Sequence, residues 1–326
     1  MKHVAMLAVT LMPCAATAAD PAAGFPSKPV RVVIAQLPGG TADAVTRLYA
    51  DKMGEALGQR FVVDNRAGGG AASVTALQIV AEANPDGHTI LVVVPNFTFS
   101  PSLIKNMPVD PGKDFDPITL MSRDPYLLTA YPGLPAKNVQ EVIQLAKAKP
   151  GFLNAGSGNL GSGTHLVTMY FLSAAGIRPQ STYVSYKGST AAFVDLMAGR
   201  LHLSVTSIVT AWPFVNAGKL RALGVTSLQR SGGMPDVPTI AEQGIAGFEA
   251  TAWYGLVAPA RTPPAVIAKL HGAASQAARS PDIREKLKGM GSEAVANTPA
   301  EFRQMIQREI PIWRKLIQEI GLTLGQ

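Results

Sequence analysis

Two textures alternate along this chain. Short runs rich in Val and Ile read as strands, and each leads through a glycine-containing turn into a stretch whose apolar residues return every three or four positions, the spacing of one helix face. Residues 29–34 form the first strand, and Val45, Leu48, Tyr49, Met53 and Ala56 then mark a helix that stops at Gly58. The unit repeats: residues 61–63 are a strand, a helix runs to Ala83, Pro85-Asp86-Gly87 turns the chain, and residues 89–94 are a third strand. Between Pro95 and Pro135 prolines multiply and apolar runs shorten, which suggests a crossing between two lobes. The pattern then restarts. Val139, Val142, Ile143 and Ala146 mark a helix, residues 152–154 a strand, and Leu166, Met169 and Tyr170 a helix ending at Gly176, with further strands expected at 182–184, 201–205 and 221–225. A strand over 250–257 would return the chain to the first lobe, and three helices close it. The last, 299–320, puts Phe302, Met305, Ile306, Trp313, Leu316 and Ile317 on one side, with Pro311 an expected kink.

The 326 residues suffice for two domains, and a composition of 47% apolar and 16% charged residues fits a folded α/β protein. The N-terminus departs from this pattern. Met1-Lys2-His3 is basic, Val4 to Met12 is apolar, and Ala16-Thr17-Ala18 is a small-x-small site, the layout of a secretory signal peptide over residues 1–18. Its apolar stretch is too short to remain as a spanning helix, so cleavage after Ala18 or Ala19 and export are expected. Cys14, the only cysteine, would leave with it, and the mature chain would then hold no disulfide or thiolate site. The net charge of +7 comes from scattered Lys and Arg, and aromatics are 6%. The basic stripe with interleaved aromatics that nucleic-acid binders use is absent, so no nucleic-acid partner is expected.

Candidate chemistry concentrates in two glycine-rich loops, Pro38-Gly39-Gly40-Thr41-Ala42-Asp43 and Gly156-Ser157-Gly158-Asn159-Leu160-Gly161-Ser162-Gly163-Thr164. Each joins a strand to a helix. Such a turn aims unpaired backbone N–H groups and the positive end of a helix dipole at whatever lies above it, so two of them suggest one anion held between two domains. Between Glu141 and Asp195 there is no acidic residue, which leaves the second loop, Arg178 and Lys187 with nothing nearby in sequence to repel an anion. Asp43 has two readings: first-turn stabilisation of the helix dipole, or acceptance of hydrogen bonds from a ligand hydroxyl or water.

Gly156-x-Gly158-x-x-Gly161 also matches the dinucleotide fingerprint, which keeps a phosphorylated-nicotinamide (NADP) enzyme as an alternative. The acidic residue expected about twenty positions later is missing. Neither loop carries the Lys-Ser or Lys-Thr of a P-loop, and Ser157 and Ser162 lack the setting of a nucleophile elbow although His165 follows. His88, His165, His202 and His271 show no metal-ligand spacing, so no metal or cofactor is expected.

Taken in order, a set of short motifs resembles the Bug-type extracytoplasmic solute receptors of the tripartite tricarboxylate transporter family over nearly the whole mature chain. They are Phe25-Pro26-Ser27-Lys28-Pro29-Val30-Arg31, Pro38-Gly39-Gly40-x-x-Asp43, Val63-Asp64-Asn65-Arg66-Ala67-Gly68, Pro85-Asp86-Gly87, Lys113-Asp114-Phe115, Asn154-x-Gly156-Ser157, Tyr186-Lys187-Gly188, Gly218-Lys219-Leu220-Arg221-Ala222-Leu223 and Pro235-Asp236-Val237-Pro238-Thr239. The resemblance implies a type II periplasmic binding protein-like α/β fold, with two lobes, a hinge and an interlobe ligand cleft that closes on its ligand. Lobe 1 would comprise residues 27–127 with 249–326, and lobe 2 residues 128–248. It further implies a monomeric, non-enzymatic receptor in the periplasm that takes a small organic carboxylate, dicarboxylate, tricarboxylate or aromatic acid, and delivers it to integral membrane transporter subunits. An exported sensory or scaffold module of the same fold is the other alternative.

Backbone N–H groups of Gly39, Gly40 and Gly158 and the hydroxyls of Thr41, Ser157, Ser162 and Thr164 are the expected carboxylate contacts. Asp43, Asn159 and His165 belong to the same gripping loops. The resemblance adds the Tyr186-Lys187-Gly188 turn as cleft lining, and Phe97, Thr98 and Ser207 are candidates for the distal part of the ligand. Ala35-Gln36-Leu37, Ala155 and Ser185 depart from the family's usual residues at the cleft border and bear on ligand identity.

Overall fold

A single long strand organises the molecule. The computed structural model describes residues 22–66, 74–186 and 189–322; the expected signal peptide with Cys14, and Lys187 and Gly188, lie outside the described residues. β1 (Val30–Ile34) leads into α1 (Thr41–Leu57), and β2 (Phe61–Asn65), α2 (Val74–Ala81), β3 (Thr89–Val93) and α3 (Asn96–Leu103) continue the alternation. β1 pairs in parallel with β2 on one side and β3 on the other. Helices cover both faces of such a sheet, which is why these strands read as nearly continuous apolar runs.

β4 (Phe115–Ala130) spans 16 residues and belongs to two sheets. Phe115 to Pro125 pairs antiparallel with β9 (Thr251–Pro259), whereas Tyr126 to Ala130 pairs with β7 (Leu203–Ser207), and Leu127 to Ala130 also with β8 (Arg221–Val225). Pro125, which cannot donate to a ladder, stands where the partner changes. Between these strands α4 (Val139–Ala148), β5 (Leu153–Ser157), α5 (Gly163–Ala174), β6 (Ser181–Ser185), α6 (Ser189–Met197) and α7 (Ile208–Asn216) build the second half; α8 (Pro264–Arg279), α9 (Pro281–Gly289), β10 (Glu293–Ala294) and α10 (Pro299–Ile320) follow β9. The strand order is β2-β1-β3-β9-β4-β7-β5-β6, with β10 and β8 each pairing β4 off this path.

Each half buries apolar side chains on both faces of its sheet. Tyr49, Met53, Leu256 and Leu270 pack on one face of the first sheet, and Phe97, Phe115, Trp253 and Phe302 on the other. The helix over 299–320 forms with the expected face inward and continues through Pro311, its start set by a Thr298–Glu301 capping box. It serves both halves: Phe302 and Ile306 pack in the first, while Trp313, Leu316 and Ile317 join Leu166 and Leu203 of the second.

Candidate functional site

Each glycine loop places a helix N-terminus at the junction between the halves. Gly39 has φ 88° and Gly161 φ 79°, a left-handed backbone that favours glycine and lets the chain turn sharply off β1 and β5. The two helix starts meet at one cavity of ≈ 460 Å³, where Gly40, Thr41 and Ala42 at the start of α1 oppose Gly161, Ser162 and Gly163 leading into α5. Its floor is the crossing itself. Tyr126 of β4, with Ala252 and Tyr254 of β9, lines it, and Gln36, Asn96 and Phe99 form a side wall.

The first loop is closed by Asp43. Its carboxylate accepts from Gly39 N–H at 3.1 Å, from Arg47 Nε and Nη2 at 3.0 Å each, and from Asn65 Nδ2 at 3.0 Å. Bonding to Arg47 foremost holds its pKa down to about 2. These bonds tie Asp43 into the loop, a role beside the two read from the sequence, and the Gly39 N–H is spent there. Gly40 and Thr41 remain at the cavity, which Tyr254 also lines.

The second loop is braced from beneath. Ser157 is fully buried, its Oγ 3.2 Å from Thr168 Oγ1 and 3.0 Å from Tyr183 Oη. Gly158 N–H donates to Thr164 Oγ1 at 3.2 Å, so the expected Gly158 donor and Ser157 hydroxyl serve the loop and not the cavity. His165 is buried. Its Nδ1 accepts from Gly161 N–H at 2.9 Å, and burial pulls its pKa down to about 4, which keeps the ring neutral. Ser162 is the N-cap, its Oγ accepting from His165 N–H at 3.2 Å and lying 3.3 Å from Thr164 Oγ1. Gly163 and Ser162 face the cavity, and the Tyr126 hydroxyl lies 3.1 Å from where a Gly163 Cβ would stand.

The remaining expected contacts sit elsewhere. Asn159 is exposed at the outer tip of the loop, its carbonyl accepting from Ser162 N–H at 3.0 Å. Phe97 packs edge-on to Phe115 in the core, and Thr98 is buried with its hydroxyl donating to Glu309 Oε2 at 2.8 Å. The reason is local: residues 96–103 form a helix, and i, i+3 spacing turns Asn96 and Phe99 to the cavity while 97 and 98 point inward. Tyr186 donates to Asp195 Oδ2 at 2.7 Å and anchors α6. Ser207 is the N-cap of α7, bonded to Thr210.

Sequence reasoning placed Gln36 at the cleft border, where it lies, but missed Asn96, Phe99, Tyr126, Ala252 and Tyr254. The one visible signal was a polar residue inside a strand run, Asp124, two positions before Tyr126. Asp124 is mostly buried, and desolvation pushes its pKa up to about 6, partly offset by the hydroxyls of Ser292 and Tyr254. The same surroundings push the Tyr126 and Tyr254 hydroxyls up as well, burial foremost, so all three groups resist carrying charge.

Residues 45–322 match the model of the tripartite tricarboxylate transporter family receptor. Among similar solved structures is R. palustris Rpa4515 with adipate, 33% identical, with a TM-score of 0.69 over 92% of this chain and 99% of that one. MatC (Rpa3494) from Rhodopseudomonas palustris with bound malate is 32% identical, with a TM-score of 0.67 over 90% and 100% of the two chains. The periplasmic binding protein BugD is 31% identical, with a TM-score of 0.67 over 92% and 99%. The shared fold is that of the periplasmic binding proteins.

Proposed function

Since the chain belongs to the tripartite tricarboxylate transporter family of receptors, we propose that it captures a small organic carboxylate in the periplasm and hands it to separate integral membrane transporter subunits. The observation that carries this reading is the convergence of two helix N-termini, one from each half, on a single cavity. A carboxylate there would accept from the open N–H groups at the starts of α1 and α5 and from the Thr41 and Ser162 hydroxyls, and would complement both helix dipoles. Adipate and malate bound to relatives about one-third identical support the ligand class.

Capture works by closure. The halves are joined through β4, β9 and α10, and bending at the crossing beside Pro125 would bring the α1 and α5 mouths together around the ligand. Leu37 and Leu160, 72% and 56% exposed on the two loops, would then cover it and exclude water. Asp43, Ser157 and His165 act by holding the loops in shape.

A thermal-shift series on the mature protein with adipate, malate, citrate and aromatic acids tests the reading. A ligand at a hundred times its Kd stabilises by about 2.7 kcal/mol. Replacing Thr41 and Ser162 together by Ala removes two hydroxyls from a charged acceptor, at about 1.5–3 kcal/mol each, and is expected to weaken binding by at least about tenfold. No shift with any carboxylate, or an unchanged Kd in the double variant, would refute the assignment.

A further inference from the structure

One donor on the cleft floor is uncommitted. Tyr126 lines the cavity, and its hydrogen bonds are made by its backbone: the residue pairs with Ser207 of β7, its N–H donates to Thr226 Oγ1 at 2.8 Å, and its carbonyl accepts from Thr226 N–H at 3.0 Å. Its hydroxyl bonds to no described residue. Tyr254, the other phenol of the floor, instead faces the Asp124 carboxyl. The Tyr126 oxygen stands at the start of α5, 3.1 Å from where a Cβ on Gly163 would be, and Gly163 lines the same cavity.

Chemistry fixes what such a hydroxyl can do. Burial foremost, with the Asp124 and Glu309 carboxyls, pushes its pKa up, so it keeps its proton and presents a donor. Closing the cleft over an unbonded hydroxyl would strand it away from water at a cost, which an acceptor on the ligand removes. The nearest part of the anion grip is the first turn of α5, whose leading N–H groups have no partner within the helix. From Tyr126 onward β4 pairs with β7 and β8, so the hydroxyl and α5 belong to one half. Their spacing does not depend on how far the halves bend, which makes them a preformed anchor.

We propose that the Tyr126 hydroxyl is a ligand-binding group, donating from the floor to the carboxylate that the start of α5 holds from the wall. A carboxylate has about four lone-pair sites on its two oxygens, enough to accept from Tyr126 as well as from Gly163 N–H and the Ser162 hydroxyl. A hydroxyl bonded to an ionised oxygen is among the stronger hydrogen bonds. Tyr126 follows Pro125, where β4 changes partners, so this bond ties the ligand to the crossing itself. The inference rests on the carboxylate-receptor reading and adds a contact that neither glycine loop supplies.

Tyr126→Phe keeps the ring and removes the hydroxyl alone. The probe is whichever of adipate, malate, citrate and benzoate binds the mature wild-type protein most tightly in calorimetric titration at pH 7.5. For that acid Tyr126→Phe is expected to raise Kd by at least about tenfold. The urea midpoint of the unliganded variant should match wild type, because the hydroxyl has no partner in the fold. Tyr183→Phe is the contrast: its hydroxyl lies 3.0 Å from Ser157 Oγ and donates to the Gly158 carbonyl at 2.9 Å, so its loss should lower the midpoint of the unliganded protein. A Kd for Tyr126→Phe within about threefold of wild type would overturn the inference and leave the receptor reading standing. A lowered midpoint or failure to fold in Tyr126→Phe would make the hydroxyl structural and overturn it equally. If none of the four acids binds the wild-type protein, the receptor reading fails and this inference with it.

Discussion

Replacing Asp43 by Asn separates a loop-shaping role from a ligand-contact role. The carboxylate is 7% exposed and held by two Arg47 bonds, one from Asn65 and one from Gly39 N–H. A pKa lowered from 3.8 to about 2 corresponds to about 2 kcal/mol in favour of the folded state at neutral pH. Because the Arg47 side chain is 51% exposed and screened by solvent, about 1–2 kcal/mol is the better figure. For a chain of this size that lowers Tm by about 2–4 °C. The folded pKa is depressed, so the stabilisation is present above pH 3.8 and lost as the pH falls toward 2; the gap between wild type and Asp43→Asn should therefore shrink in acid. Urea denaturation at pH 7 and pH 3 measures this gap, and carboxylate titration of both proteins at pH 7 supplies the second readout. Unchanged stability together with a hundredfold loss of affinity would show that Asp43 contacts the ligand and that its bonds to Arg47 contribute nothing to the fold.

Two further outcomes are expected. Phe97→Ala should cost about 3–5 kcal/mol by emptying the core beside Phe115, read from the urea midpoint, while leaving carboxylate affinity within about threefold. Glu309, which accepts from Thr98 Oγ1 at 2.8 Å and Trp253 Nε1 at 3.2 Å, has its pKa raised by burial to about 7. Ionising it thus works against the fold as the pH rises from 4.5 through 7, and Glu309→Gln should stabilise the protein by up to about 3 kcal/mol at pH 8 and by little at pH 4.5. A Glu309→Gln variant less stable than wild type at pH 8 would contradict that account.

Local pattern alone determined the alternating strand-helix units, the two glycine turns and the inward face of the last helix. Each follows from chemistry within a few residues: β-branched runs, 3.6-residue spacing, and glycine where the backbone must turn left-handed. The same local signals could name the loops but not the atoms that reach the ligand. Gly39, Gly158 and Ser157 looked like donors in sequence and His165 like part of a gripping loop, yet folding commits their polar groups to Asp43, Thr164, Tyr183 and Gly161. A polar group in a tight turn finds its nearest partner first, and that partner depends on how the loop packs. Phe97 and Thr98 turned inward for a related reason, since one unanticipated helical turn rotates each residue by about 100° from the next. The cleft floor lay furthest from view. Tyr126 and Tyr254 are 128 positions apart and meet only because β4 runs through both sheets beside β9. Strand pairing of that range is set by the burial of whole faces, a property of the assembled sheet that no short window of sequence contains.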